Sequence, residues 1–351
     1  MGDKYWEEDA VQAAPAYTLA ECAALDVKWF DEEDLTDIPS LIEKTKERFR
    51  SALFVCDKEQ LGFLRDAADM SAEKTPFTEM PPGGFYSFFC NNFVFLFFWE
   101  DEYYLVLPDE LADIYRGVLS EPDFAAVSGY NQELCAYANA LINLYGACEI
   151  NWYVEVWNNH HREKITLDGA RGVLSDLEEF YPNFWLDDGF IINESLFDDD
   201  FEELLEMVGD MDYYMPSKSV IAIYSEPNES YYEKTSGAKE MNAFLAGIID
   251  NEVKLDNLQL EVALSCERLE RPEYVRGCLE RAEFPLGDAE VSAKFEKLYQ
   301  NLRDNTHIWE LRGFTPYQYE IETGKRLKRF ALPMAEPKPE PKSAKQGKKK
   351  K

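Results

Sequence analysis

Residues Thr166 to Ile192 read TLDGARGVLSDLEEFYPNFWLDDGFII. The first part has apolar residues at helical spacing behind a threonine, a residue type that caps helices, and so predicts a helix over 167–180. The second part has one apolar triplet on each side of Asp187-Asp188-Gly189, which is a strong hairpin signal. The segment therefore predicts a helix followed at once by a β-hairpin.

Two further helices are predicted before this segment. Helical periodicity covers about 132–144 and ends at Tyr145-Gly146, and a shorter helix covers about 152–158. Three helices followed by a hairpin is the element order of a winged helix. A helix that reads the major groove must offer basic or amide side chains to base edges without repelling phosphates. The helix 167–180 has four acids against Arg171 alone, so we expect the module to bind protein rather than DNA.

The flanking segments complete a prediction of the α+β class, with helical modules, small antiparallel hairpins and a helical C-terminal region. One local signal is a capping box, in which Asp57 caps a helix and Gln60 stands three positions on. We divide the chain into an acidic N-terminal segment (1–37), a segment of helices and aromatic-rich antiparallel strands (38–125), the winged-helix-like module with an acidic helix (126–215), a mostly helical C-terminal region (216–330) and a disordered Lys-rich tail (331–351).

Three strand-like aromatic runs follow Pro81-Pro82-Gly83-Gly84, at 85–90, 93–99 and 103–107. Asn91-Asn92 and Glu100-Asp101-Glu102 are the predicted turns between them. Exposed aromatic rings on strands can stack on nucleic-acid bases, but such platforms have basic surroundings, and the neighbouring charges here are acidic. We therefore favour core packing for these rings.

The region after the predicted hairpin contains an acidic amphipathic helix. Residues 194–212 hold nine acids and no base, with apolar residues at helical spacing. A strand is predicted over 219–224, and helices follow over about 237–303.

Length and composition restrict the class of protein. The chain has 351 residues, is 46% hydrophobic and 14% aromatic, and carries a net charge of −32. It can therefore fill a core, but its charge disfavours wrapping duplex DNA. The N-terminus lacks the features of a signal peptide, no apolar run is long enough to span a bilayer, and the seven cysteines are scattered. We predict a cytoplasmic protein with no membrane partner.

The C-terminal tail has the opposite charge. Residues 335–351 carry net +5, so the remaining 334 residues carry −37. The tail is a candidate tether for nucleic acid or an acidic partner; alternatively, it is a solubilising segment that folds back transiently on the acidic body. The candidate contact residues are Lys338, Lys342, Lys345, Lys348, Lys349, Lys350 and Lys351.

The common catalytic and cofactor motifs are missing from the sequence. It contains no GxGxxG, GxxxxGK[ST], GxSxG or HExxH. His160 and His161 are adjacent, so their side chains diverge on a helix and are poorly placed to share a metal. We predict no cofactor and no metal site. Carboxylate-based catalysis stays open as an alternative that would require a cleft with paired acids.

The segment 305–316, NTHIWELRGFTP, resembles a signature of uncharacterised bacterial proteins related to the SEC-C motif and Rho-N-like (SAP-like) proteins. In that group Asn-Thr-Arg-x-Trp-x-x-x-Gly-His-Thr-Pro closes a helical C-terminal region. His307 stands for Arg, Phe314 stands for His, and no cysteine follows Cys278, so no zinc role carries over. The resemblance implies a cytoplasmic protein linked to nucleic-acid or regulatory functions. The matching residues are Asn305, Thr306, Trp309, Gly313, Thr315 and Pro316.

These observations favour a non-catalytic cytoplasmic interaction or regulatory protein with a protein partner. The alternative is a nucleic-acid-associated factor that makes a weak contact through the basic C-terminal tail.

Overall fold

The computed structural model describes residues 10–25, 37–77, 86–181, 183–225 and 234–333. The chain divides into two compact units: unit 1 comprises Met1–Gly209 and Tyr214–Tyr231, and unit 2 comprises Asp210–Tyr213 and Tyr232–Lys351. Helices dominate both, and the described strands form one two-stranded and one three-stranded antiparallel sheet, both in unit 1. The predicted α+β class is therefore confirmed. Within the described ranges, no helix combines the length and apolarity needed to cross a membrane.

The first part of unit 1 packs helices around one hairpin. The hairpin joins Phe95 to Val106 at one end and Trp99 to Glu102 at the other, and Glu100 and Asp101 turn it with φ of 53° and 63°. The predicted capping box at Asp57 and Gln60 is confirmed. The elements are α1 (Leu19–Leu25), α2 (Ile38–Leu53), α3 (Lys58–Glu73), α4 (Tyr86–Cys90), β1 (Phe95–Trp99), β2 (Glu102–Val106) and α5 (Asp109–Leu119).

The predicted strand over 85–90 is wrong, because its described part is the helix α4. The helical turn closes when the amide of Asn91 donates to the carbonyl of Ser87 at 3.0 Å. It also brings the ring of Phe88 into a stack on Phe63 of α3, with centroids 5.8 Å apart. A short apolar run has no periodicity that separates strand from helix, so packing on α3 selected the helix.

The middle of unit 1 has the predicted element order of three helices and a hairpin, and we keep the name winged helix for this module as a description of that order. Its sheet order is β3-β5-β4 with both pairings antiparallel, and Asp188 and Gly189 turn the predicted hairpin at positive φ. The sequence did not indicate β3, the third strand of this sheet. The elements are α6 (Phe124–Tyr145), β3 (Ala147–Glu149), α7 (Ile150–His160), α8 (Leu167–Phe180), β4 (Phe184–Asp187) and β5 (Phe190–Asn193).

Two helices complete unit 1. The acidic helix α9 (Asp198–Val208) packs its Phe201 edge-on against Trp185 and Phe190 of the β4–β5 hairpin, which we call the wing. The predicted strand over 219–224 is wrong, because these residues belong to the helix α10 (Lys218–Tyr224). Ile221 and Tyr224 are both buried and stand three residues apart, so the helix places both against the core, whereas a strand would turn them to opposite faces.

Unit 2 is helical in its described part. Its core is built from residues of all four long helices, among them Met241, Val262, Leu279 and Phe295. Gly237 allows α11 to approach α14 closely, since a Cβ there would lie 3.2 Å from the Cα of Leu302. The elements are α11 (Ser236–Ala246), α12 (Glu252–Glu267), α13 (Pro272–Arg281), α14 (Ala289–Asp304), a 3₁₀ turn (Trp309–Leu311) and α15 (Pro316–Thr323).

The capping box of α3 yields a stability prediction. Asp57→Ala removes the side-chain oxygen that accepts from the amides of Glu59 and Gln60, both at 2.8 Å. We expect unit 1 to lose about 1 kcal/mol of unfolding free energy, measured by hydrogen exchange of the α3 amides. Lys58→Ala is the matched control, because Lys58 is exposed one position further on. An equal loss in both variants would contradict the capping role.

Candidate interaction surfaces

The third helix of the winged helix, α8, is covered at its C-terminal end. Phe180 stacks on Phe93 with centroids 5.9 Å apart, and Glu179 forms an ion pair with Arg48 of α2. The hydroxyl of Tyr181 donates to the carbonyl of Val55 at 2.6 Å. This end of α8 therefore lies against another part of unit 1 and cannot enter a DNA groove without first separating from it.

The part of α8 that faces solvent is acidic. The apolar face of α8 is buried in the core of the winged helix, and Glu178 accepts a hydrogen bond from the amide of Leu186 in the wing at 2.7 Å. Arg171 is the only basic side chain on α8. The geometry thus agrees with the charge argument against groove reading. The exposed residues of α8 are Asp168, Gly169, Arg171, Gly172, Ser175, Asp176 and Glu179.

The two adjacent histidines make separate contacts. His160 Nε2 lies 3.1 Å from the carbonyl of Pro216, which can only accept, so His160 Nδ1 accepts from the hydroxyl of Tyr137 at 2.9 Å. His161 Nδ1 lies 3.0 Å from the carbonyl of Trp157, and Nε2 lies 2.9 Å from Glu133. All four ring nitrogens are engaged with protein atoms. No group of three or more potential metal ligands occurs among the described residues.

The aromatic strands pack inside unit 1, as predicted. Phe93, Phe95 and Phe97 are each at most 1% exposed, whereas Trp99 at the end of β1 is 45% exposed. Rings this deeply buried cannot serve as a base-stacking platform. The cysteines are also mostly buried, and burial raises the pKa of the thiol of Cys135 to about 12.

A groove of about 410 Å³ lies between α12 and α13 of unit 2. Among the described residues that line it, Glu261 is the one carboxylate, and it accepts a hydrogen bond from the hydroxyl of Tyr274. Burial raises the pKa of Cys278, which keeps this thiol in the groove protonated. The groove therefore lacks the paired acids that the enzyme hypothesis required.

The segment that carries the family resemblance forms the joint between α14 and α15. Asn305 ends α14, with its amide donating to the carbonyl of Asn301 at 2.9 Å. The hydroxyl of Thr306 donates to the carbonyl of Leu302 at 2.8 Å. Thr315 opens α15 in a capping box with Gln318, followed by Pro316 in the first turn.

A tight turn at the centre of the joint brings Ile308 and Gly313 together. The amide of Gly313 donates to the carbonyl of Ile308 at 2.9 Å, and Arg312 and Gly313 both have positive φ, 49° and 78°. Trp309 is buried beneath the guanidinium of Arg268, 5.6 Å from the ring centroid. The motif residues therefore have structural roles at a chain reversal.

The joint also buries three ionisable side chains. His307 Nδ1 donates to the carbonyl of Gly313, and burial lowers the pKa of His307 to about 4. Burial raises the pKa of Glu310 to about 7, and its Oε2 has no hydrogen-bond partner in the described part of the chain. Arg312 lies with its guanidinium over the ring of Tyr213, 4.2 Å from the centroid.

Beyond α15 the chain carries a basic segment that we call the strap, residues 325–333. It begins Lys325-Arg326-Leu327-Lys328-Arg329, so four of its first five residues are basic. All four basic residues are exposed, and Arg326 pairs with Glu320 of α15 at 3.2 Å. Within the described ranges, no acidic side chain pairs with Lys325, Lys328 or Arg329.

Side chains of α14 hold the backbone of the strap. Arg303 donates to the carbonyl of Lys328 at 2.9 Å, Gln300 accepts from the amide of Phe330 at 2.7 Å, and Glu296 accepts from the amide of Leu332 at 3.0 Å. The contacts descend α14 as the strap advances, so the two run antiparallel.

The strap is anchored by one ring. Phe330 is 8% exposed and lies on Tyr299 of α14 with centroids 4.0 Å apart. Between the first and last contact the strap advances four residues, from Lys328 to Leu332, along about 10 Å of α14. The backbone of the strap is therefore held to α14 from Lys328 to Leu332.

Sequence reasoning missed the strap and named the tail instead. The seven tail lysines, Lys338 to Lys351, lie outside the described residues. The signal in the sequence for the strap was the run of four basic residues among the five that directly precede Phe330. The comparable run on α2 pairs with acids, since Lys46 contacts Glu43 and Arg50 contacts Glu121.

The ionisable groups of the joint predict opposing pH effects on unit 2. The folded pKa of His307 is lowered from 6.5 to about 4, so its contribution to stability falls as the pH falls through that window. The folded pKa of Glu310 is raised from 4.5 to about 7, so stability falls as the pH rises through that window. Each effect amounts to about 3 kcal/mol, and we expect them nearly to cancel between pH 4.5 and 6.5.

Two substitutions separate these effects. His307→Asn keeps a donor but does not titrate, so unit 2 becomes more stable as the pH falls from 7 to 4.5. Glu310→Gln leaves the histidine alone, so stability falls over the same change. Hydrogen exchange of the α14 amides at each pH measures both. Parallel pH profiles in the two variants would contradict the assignment.

Comparison with protein-family models, curated proteins and solved structures finds no match to this chain. The resemblance of residues 305–316 to proteins related to the SEC-C motif therefore stays a prediction.

Proposed function

We propose that the protein is a non-catalytic cytoplasmic interaction protein that binds a negatively charged partner through its C-terminal basic surface. One observation carries this proposal: Lys325, Lys328 and Arg329 are exposed without an acidic partner in the described part of a strongly acidic chain. The backbone around Lys328 and Arg329 is held to α14 by hydrogen bonds at Lys328 and Phe330, so these two residues start from a defined position before any partner binds. Preorganisation of this kind lowers the entropic cost of binding.

The tail extends this surface in sequence. Its seven lysines begin five residues after the strap ends, at Lys338. Fixed cations followed by further lysines suit a partner that carries many negative charges, because each neutralised charge on such a polymer releases counterions. The fixed strap supplies position, and the tail adds long-range attraction.

The winged helix supports a protein-interaction role for unit 1. Its third helix is acidic, and the end of that helix is engaged by Arg48 and Phe93. The second candidate function is that of a nucleic-acid-associated factor, which the strap favours more than the winged helix does.

Heparin binding across a salt series tests the anionic-partner proposal. We expect the full chain to bind labelled heparin, and a chain ending at Met334, which keeps every described residue, to bind more weakly but measurably. Adding Lys325→Gln, Lys328→Gln and Arg329→Gln to the shortened chain should abolish that remaining binding.

The matched control neutralises three exposed lysines elsewhere, Lys58, Lys218 and Lys239, which changes the net charge equally. This control should retain binding within about two-fold, because dispersed exposed charges contribute little individually. An equal loss in the control, or no heparin binding by the full chain at low salt, would contradict the proposal.

Duplex DNA tests the winged helix separately. Arg171→Ala removes the only basic side chain of α8. We expect this substitution to change duplex binding by less than two-fold, with Lys239→Ala as control. A groove-reading arginine would lose roughly five-fold or more in affinity, and a sequence-specific loss of that size would show that α8 does read DNA.

A further inference from the structure

We infer that the strap and the exposed face of α15 form a binding site for single-stranded nucleic acid, in which Tyr317 stacks on a base and the strap contacts phosphates. The inference rests on the proposed function and specifies the partner class. The sequence predicted a nucleic-acid contact in the tail, whereas this site lies within the described part of unit 2.

One face of α15, pointing away from the rest of unit 2, carries two exposed apolar side chains. Tyr317 and Ile321 are each 64% exposed, and they stand one helical turn apart, which places them on one side of the helix. The other large side chains in the joint, such as Trp309, are buried, so this pair is not part of the core. An exposed ring beside an exposed aliphatic side chain offers a flat apolar surface.

One ion pair places the strap beside this face. Glu320 stands three residues after Tyr317, so these two side chains are neighbours on the helix surface, and Glu320 contacts Arg326 of the strap at 3.2 Å. The first basic residues of the strap therefore lie at the edge of the apolar face. The pairing also offsets the charge of Glu320, so within the described ranges Glu322 is the acid of α15 without an ion pair.

The combination of ring and cations matches single strands in particular. Proteins bind single strands by stacking bases on exposed aromatic rings beside a positively charged track for the backbone. Five residues of strap span at most about 17 Å, enough for a short run of phosphates. A duplex hides the faces of its bases and needs a wider basic surface, which the net charge of −32 opposes.

The test measures binding of the full chain to a 20-nucleotide uridine-rich RNA single strand. The same sequence in duplex form and polyglutamate are the two comparison polyanions. We expect the RNA single strand to bind most tightly. Tyr317→Ala should weaken this binding roughly five-fold or more with an unchanged salt slope, because base stacking is not ionic. Tyr317→Phe should restore it, whereas Tyr317→Leu should not, since leucine keeps an apolar surface but has no ring.

The strap contributes a different signature. Lys325→Gln, Lys328→Gln and Arg329→Gln together should reduce the slope of log affinity against log salt by about 2, from the single-strand value of 0.7 per neutralised phosphate. The Lys58, Lys218 and Lys239 variant is again the matched control and should leave the slope unchanged.

Failures of the two proposals are distinguishable. If the full chain binds heparin but Tyr317→Ala leaves RNA affinity unchanged, or if polyglutamate binds as tightly as RNA, the inference is overturned and the proposed function stands. If Tyr317→Leu binds RNA as well as the unaltered chain, stacking is likewise overturned. If neither heparin nor RNA binds at low salt, both are overturned.

Discussion

Burial of one face of α8 governs the organisation of unit 1. One face of the helix is buried in the core along its whole length, since at most 3% of each of these apolar residues is exposed: Ala170, Leu174, Leu177 and Phe180. Its last residues continue into contacts with Phe93 and α2. A winged helix that reads DNA keeps its third helix free on one side, whereas here the C-terminal end of α8 is covered by Phe93 and α2. The module therefore functions as part of a larger packed unit.

In unit 2, the ring contact between Phe330 and Tyr299 has a comparable role. An irregular segment with four cations in five residues would be expected to move freely at the surface. Phe330 and three side chains of α14 instead fix its backbone, while its charged side chains stay in solvent. Charges held in this way can select a partner by geometry as well as by sign.

The net negative charge of the chain determines how the basic strap can attract a partner. An acidic surface repels polyanions, so a locally basic site on it attracts them only at short range and in few orientations. On the proposed function, this charge distribution limits non-specific association with nucleic acid and makes contact favourable at the strap. The ion pair between Arg326 and Glu320 places the strap beside the exposed face of α15.

The sequence alone was sufficient for features that depend on neighbouring residues. The capping box at Asp57 follows from side-chain hydrogen bonds three residues apart, and the wing turn follows from the ability of Gly189 to adopt positive φ. The α+β class and the order of three helices and a hairpin followed from periodicity. The apolar runs at 86–90 and 219–224 were misread, because each is too short for its periodicity to decide between helix and strand.

Tertiary structure decided which surfaces remain available. No local pattern shows that Glu179 meets Arg48, which is 131 residues away, or that the strap folds back along α14. The same holds for Tyr317, whose exposure depends on the direction in which the joint turns α15. Hydrogen bonds between near neighbours are encoded locally, whereas the covering of a face depends on distant segments that pack on it only in the folded chain.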